Sequence, residues 1–195
     1  MTTDTTEKGL EDLIMRHLTG TDGRSPGPVA GVAESAPASG GSGWFAGHPA
    51  AYDREYALDL EHLFAFLMAT QPDSYAKLGI GDYRDKKGMA RQKFLARLQG
   101  EIGRRGTIDV LRNGIRHGPL SFDLFYGTPS PGNDKAIALN QANRFSITRQ
   151  LHYSLDQTRR ALDLCQFING LPVITFELKN SLTKQTVDDA IAQYR

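Results

Sequence analysis

Phe176-Glu177-Leu178-Lys179 closes an apolar run in which an acid and a base emerge two residues apart. In a strand, alternation puts Glu177 and Lys179 on one face and Phe176 and Leu178 on the other. Upstream, Asp163 interrupts the apolar segment Ala161-Leu162-Asp163-Leu164-Cys165. The 14 residues from Asp163 to Glu177 are spent on two strands and a turn at Asn169-Gly170, so three ionisable groups meet at adjacent strand ends. Two carboxylates are hard oxygen ligands for Mg²⁺, which polarises a scissile phosphodiester and lowers the pKa of a bound water. A lysine beside them stabilises charge on the pentacovalent centre or orients the water. The competing reading is a strand-capping Asp163 and a solvated edge pair, because E-x-K alone is a very common tripeptide.

Register sharpens the requirement. A two-residue loop at Asn169-Gly170 would pair Asp163 with Phe176 and send Asp163 and Glu177 to opposite faces. The site therefore predicts a three-residue loop with Gly170 left-handed, or a bulge near Pro172.

The elements that must position these groups follow from periodicity. Leu10, Leu13, Ile14 and Leu18 give Glu7–Leu18 an amphipathic helical stripe. Residues 19–43 turn to Gly, Ser, Pro and Ala and read as a flexible linker. A long helix is expected over Ala51–Thr70, ended by Gln71-Pro72, and others over Lys86–Ile102 and Thr107–His117. Arg91, Arg97, Arg104, Arg105, Arg112 and Arg116 form a run there that fits either a phosphate-bearing groove or a solvated helix face. Beyond Gly118-Pro119 the pattern is of strands: Ser121–Tyr126, Phe145–Ser154, Leu162–Ile168 and Val173–Lys179, expected in one sheet. A short helix over Asp134–Asn143 and a last one over Thr186–Arg195 complete the reading.

Charge is nearly balanced, 23 Lys and Arg against 22 Asp and Glu over 195 residues. Residues 1–43 hold six acidic and three basic residues, which leaves a modestly basic remainder. The single cysteine, Cys165, excludes an intramolecular disulfide framework and fits a reducing cytoplasm. No run of about 18 apolar residues offers a membrane span.

The segments Ala142-Asn143-Arg144-Phe145, Arg149-Gln150-Leu151-His152-Tyr153-Ser154, Leu162-Asp163-Leu164, Phe167-Ile168-Asn169-Gly170-Leu171-Pro172-Val173 and Phe176-Glu177-Leu178-Lys179-Asn180 resemble the N-terminal nuclease domain of the restriction (R) subunit of type I restriction–modification enzymes. The resemblance reaches upstream to Tyr52-Asp53-Arg54-Glu55, Phe66-Leu67 and Ala69-Thr70-Gln71-Pro72 and covers about residues 44–195. It implies a PD-(D/E)XK nuclease: a mixed α/β fold with a restriction-endonuclease-like core, a mixed central sheet flanked by helices, cutting double-stranded DNA with Mg²⁺. The family's motif residues fall on Asp163, Glu177 and Lys179, with Asp163 and Glu177 as the metal ligands. Gln193 matches the start of a Q-x-x-x-Y motif whose tyrosine would fall after Arg195, Tyr194 being too early, and this predicts a chain cut inside a helix. Glu11 could match an acidic residue that some such nucleases add as a ligand, with Glu7 and Asp12 as equal surface candidates. The implied partners are DNA and the modification (methylase) and specificity subunits. ATP would enter only through a C-terminal motor absent from this chain. The expected organisation is a helix over 1–18, a linker over 19–43 and an endonuclease domain over 44–195.

Arg144, Arg149 and Lys184 lie near the catalytic edge in sequence and are the expected DNA-phosphate contacts. Gly127-Thr128-Pro129-Ser130-Pro131-Gly132 has phosphate-loop glycine spacing, but Asn133-Asp134 follows where Lys-Ser/Thr is needed. The five histidines show no metal-ligand spacing. Two other readings stand beside the restriction subunit: a stand-alone repair or resolvase-like nuclease of the same fold, and a non-catalytic docking module of a restriction complex.

Overall fold

A computed structural model of the chain describes residues 6–24, 37, 40–154 and 160–179. The fold is mixed α/β, and its largest sheet has four strands in the order β1-β6-β7-β8. These strands are β1 (Phe45–Ala46), β6 (Phe145–His152), β7 (Ala161–Ile168) and β8 (Leu171–Phe176). The residues divide into two compact units: unit one is Met1–Pro49, Ile147–Gln166 and Ile174–Arg195, and unit two is Ala50–Ser146 and Phe167–Val173. The expected helix over Thr186–Arg195 lies outside the described residues.

In unit one, helix α1 (Glu7–Thr19) starts where the Thr6 hydroxyl accepts from Gly9 N–H at 3.1 Å and stops at Gly20, φ 77°. Its packing face differs from the expected leucine stripe. Leu10 and Leu13 are 41% and 60% exposed, whereas Glu11, Met15 and Thr19, spaced four apart, are buried. Met15 joins Ile147 and Leu164 in a small apolar cluster covered by Ile14, Leu18, Trp44 and Phe176, among others. The helix is turned so that an acid, Glu11, points inward.

Unit two holds the larger core, rich in aromatic rings. Phe64 stacks on Tyr83 with ring centres 4.9 Å apart, and Phe94 meets Phe122 edge-on at 5.3 Å. The long helix expected over Ala51–Thr70 is in fact a hairpin followed by a shorter helix. β2 (Tyr52–Asp53) pairs with β3 (Leu58–Asp59), and α2 covers Leu60–Thr70. Two aspartates cause this. The Asp53 carboxylate accepts from Glu55 N–H at 3.0 Å, closing a turn, and Asp59 caps α2 by accepting from His62 N–H at 3.1 Å.

Helix α3 (Pro72–Lys77) follows, and α4 (Met89–Arg105) begins three residues later than expected, after turns at Asp82 and Asp85. Helix α5 (Thr107–Asn113) ends at Gly114 instead of continuing to His117. At φ 61°, a Cβ on Gly114 would lie 2.3 Å from the Phe122 carbonyl. The chain then turns back as β4 (Ile115–His117) and β5 (Leu120–Phe122), a separate hairpin, so Ser121–Tyr126 does not join the main sheet as expected. Helix α6 (Asp134–Gln141) leads into β6.

The β7–β8 connection is the two residues Asn169 and Gly170, at φ 50° and 81°, the hairpin turn favoured by strand twist. The connection is therefore not the predicted three-residue loop. Asn169 is locked in place: its carboxamide oxygen accepts from Arg144 N–H at 2.6 Å, and its NH₂ donates to the Leu124 carbonyl at 2.8 Å. A Cβ on Gly170 would meet the Asp59 carbonyl at 2.3 Å, so the turn is packed tightly.

Candidate active site

Asp163 lies on β7 between the buried Leu162 and Leu164. The two-residue turn would put a strand residue at 177 on the wrong face, but β8 ends at Phe176 and residues 177–179 are irregular. Strict alternation therefore no longer governs Glu177. In its place, the Asp163 carboxylate accepts a hydrogen bond from Leu178 N–H at 2.6 Å and draws the 177–179 segment around itself.

The electrostatics report the same convergence. Partial burial pushes the Glu177 carboxyl above the ordinary glutamate value, and the Asp163 charge pushes it further against the lowering pull of Lys179. Glu177 thus sits between a like charge and an opposite one. Two carboxylates repelling each other beside a lysine make a site short of positive charge. Among the described residues no cluster of three or more His, Cys, Asp or Glu side chains is placed to hold a metal. A two-carboxylate set does not make the closed four-ligand shell of a structural zinc. It suits a hard cation that keeps several waters and takes its other ligands from a phosphate.

Glu11 is the third acid, and the structure separates it from its rivals. It is 5% exposed on the inward face of α1, held by Arg149 Nη2 at 2.7 Å and Gln150 Nε2 at 2.9 Å. Burial raises the Glu11 carboxyl, Arg149 lowers it, and the Asp163 charge raises it again. Asp12 faces outward and bonds Arg149 Nη1 at 2.7 Å and Arg24 Nη2 at 2.5 Å. Although burial works to raise it, these two guanidiniums hold the Asp12 carboxyl below the usual aspartate value. Glu7 adds its charge to the field at Glu177.

Arg149 is therefore not placed as an open phosphate contact. It is 8% exposed on β6 and committed to Glu11, Asp12 and the Asp22 carbonyl, each at 2.7 Å. Its neighbour Gln150 has φ 49° in mid-strand, a left-handed conformation that costs a residue with a side chain about 1–2 kcal/mol. Arg144 lies in unit two, where its Nε donates to His62 Nδ1 at 3.0 Å. Lys184 and Gln193 lie outside the described residues. Sequence reasoning missed the roles of Arg149 and Gln150 in holding Glu11. The only hint was an acid spaced four residues from Met15 and eight from Thr19.

The fold defines a class, a mixed α/β protein consistent with a nuclease-like core. Residues 131–195, which include Asp163, Glu177 and Lys179, match the family described as Type I restriction enzyme R protein N terminus, a match over about a third of the chain. No curated protein and no solved structure matches the chain. Among the described residues no helix is long and apolar enough to cross a membrane.

Proposed function

We propose that the chain is the DNA-cleaving region of a type I restriction enzyme R subunit, hydrolysing phosphodiester bonds of unmodified double-stranded DNA with Mg²⁺. The observation that carries this reading is the Asp163 carboxylate bonded at 2.6 Å to the backbone N–H of Leu178, the residue between Glu177 and Lys179, inside the stretch that matches the R protein family. Asp163 and Glu177 would hold the cation, which when bound polarises the scissile phosphate and acidifies a water. Asp163 orders the 177–179 segment through Leu178 N–H, which fixes the spacing between Glu177 and Lys179. Lys179 donates to the phosphoryl oxygen where charge builds in the transition state. Gln193 supports the same centre. In the intact enzyme this region works with modification and specificity subunits in the cytoplasm, and ATP is consumed by a motor outside this chain.

The test compares wild type with Asp163→Ala and Lys179→Ala in two settings: plasmid nicking by the chain in Mg²⁺, and cleavage by the R subunit assembled with its partners and ATP. Each substitution is expected to lower cleavage by about a hundredfold or more while ATP hydrolysis by the assembled enzyme continues. Cleavage that survives both substitutions overturns the reading. A wild type that cuts in neither setting overturns it as well.

A further inference from the structure

We propose that the exposed basic face of α4, formed by Lys93, Arg97 and Arg104 and extended by Arg116 of β4, is a contact surface for the sugar–phosphate backbone of double-stranded DNA. This rests on the proposed DNA substrate and assigns a binding surface within unit two, where the catalytic carboxylates do not lie. Positions 93, 97, 101 and 104 fall on one side of a helix and span about 16 Å at 1.5 Å per residue. With phosphates rising 3.4 Å per nucleotide along one strand, that length covers roughly five steps.

The centre of this face is Glu101, whose side chain is only 5% exposed. Its carboxylate receives Arg97 Nη2 at 3.0 Å, Arg104 Nη2 at 2.7 Å and Arg105 Nε at 2.7 Å. Pairing at a helix C-terminus needs one arginine per acid, and here three guanidiniums gather on one carboxylate. Arg105 turns inward to Asp109 and to the Gly114 carbonyl at 2.7 Å. Arg97 and Arg104 stay 50% and 67% exposed, each with one edge fixed on Glu101. A guanidinium anchored in this way loses less freedom when its remaining donors engage a phosphate. Arg97 Nε also donates to the Arg116 carbonyl at 3.1 Å, which brings the exposed Arg116 beside the same face. The other arginines of interest are committed elsewhere: Arg91 is buried on Asp53 at 2.6 Å, and Arg149 on Glu11.

Anisotropy of a labelled duplex with the full 195-residue chain in EDTA, over a salt series, tests the surface with cleavage suppressed. The slope of log affinity against log salt is expected to fall by about 0.9 for each phosphate contact removed, so Arg97→Gln with Arg104→Gln loses about 1.8. Lys93→Glu leaves the Glu101 cluster intact and is expected to weaken binding as well, on duplexes of any sequence. Wild-type affinity and slope in both α4 variants overturn the surface, and so does a wild-type chain that binds no duplex. Salt-sensitive binding that depends on α4, with no nicking in Mg²⁺ by the chain or the assembled enzyme, keeps the surface and overturns the nuclease reading.

Discussion

The two units differ in how they treat some of their buried titratable groups. Unit one, with few fully buried apolar side chains, sinks Glu11 and pairs it at 2.7 Å with Arg149, and Asp12 takes the other side of the same guanidinium. Unit two also pairs buried charge, Arg91 with Asp53 at 2.6 Å, but it sets Asp59 and His62 deep against an aromatic core. Burial pushes the Asp59 carboxyl up to about 7. Burial, with Arg144 beside it, pushes His62 down to about 3, in keeping with a neutral Nδ1 that accepts from Arg144. Where burial outweighs the pull of nearby charges, the neutral form is favoured. Unit one, where negative charge is needed, supplies the partner. At Asp59 and His62 unit two supplies apolar packing, and burial favours their neutral forms.

Removing one side of the pair should break this contrast most strongly. Arg149→Ala leaves Glu11 buried and unpaired, a cost of roughly 3–5 kcal/mol. Phe94→Ala empties a site that is fully buried in unit two, for a similar roughly 3–5 kcal/mol. The pH dependence separates them. Glu11 already has a raised pKa and rises further without Arg149, so it takes up a proton as pH falls towards the ordinary glutamate value. Urea unfolding at neutral and mildly acidic pH should show the Arg149→Ala penalty shrinking while the Phe94→Ala penalty stays constant. Equal penalties at both pH values would show that Glu11 is not held as an ionised group.

A smaller effect, of a few kcal/mol at most, is expected from the unit-two pair. Asp59 has a folded pKa of about 7 against 3.8 for an ordinary aspartate. Its contribution is present below about pH 4 and lost as pH rises through about 7. His62 has a folded pKa of about 3 against 6.5, so its contribution is present above pH 6.5 and lost as pH falls through about 3. Between about pH 4 and 6.5 the two slopes oppose each other and the wild type should be nearly flat. Asp59→Asn, which can still cap α2, should gain stability as pH rises through that window. His62→Gln should lose it. Parallel stability curves for the two variants would remove the claim that these groups are neutral in the folded state.

The sequence was most legible where the signal is local. Apolar periodicity placed α1, α4, α6 and the three long strands within a few residues, and the acid-base alternation singled out Asp163, Glu177 and Lys179. It failed where side chains bond to nearby backbone: Asp53 and Asp59 divert what periodicity reads as one long helix, and Gly114 ends another. The turn at Asn169-Gly170 is the two-residue form, and Glu177 escapes strand alternation because β8 ends at Phe176, three residues short of the expected Lys179, which a period-two argument does not contain. Arg149 was illegible for a different reason. Its partner Glu11 is 138 positions away, and nothing in either segment marks the pairing.

The smallest expected effect sharpens the comparison at two residues that share a backbone conformation, Gln150 in unit one at φ 49° and Asn169 in unit two at φ 50°. Asparagine tolerates the left-handed region and the hairpin turn requires it there. Glutamine in mid-strand has no such justification, and its compensation is the bond from Nε2 to Glu11 at 2.9 Å. Gln150→Gly relieves strain worth about 1–2 kcal/mol. It also forfeits a hydrogen bond of about 1 kcal/mol and adds a glycine entropy cost of about 0.5–1 kcal/mol. The balance lies within about 1 kcal/mol of wild type. Asn169→Gly gains little conformationally and strips buried bonds from Arg144 N–H, the Leu124 carbonyl and Asn143, which costs about 2–3 kcal/mol. Urea midpoints of the two variants decide the matter. If Gln150→Gly is as damaging as Asn169→Gly, the Gln150 conformation is part of the strand's own architecture, and the idea that it is strained to hold Glu11 fails.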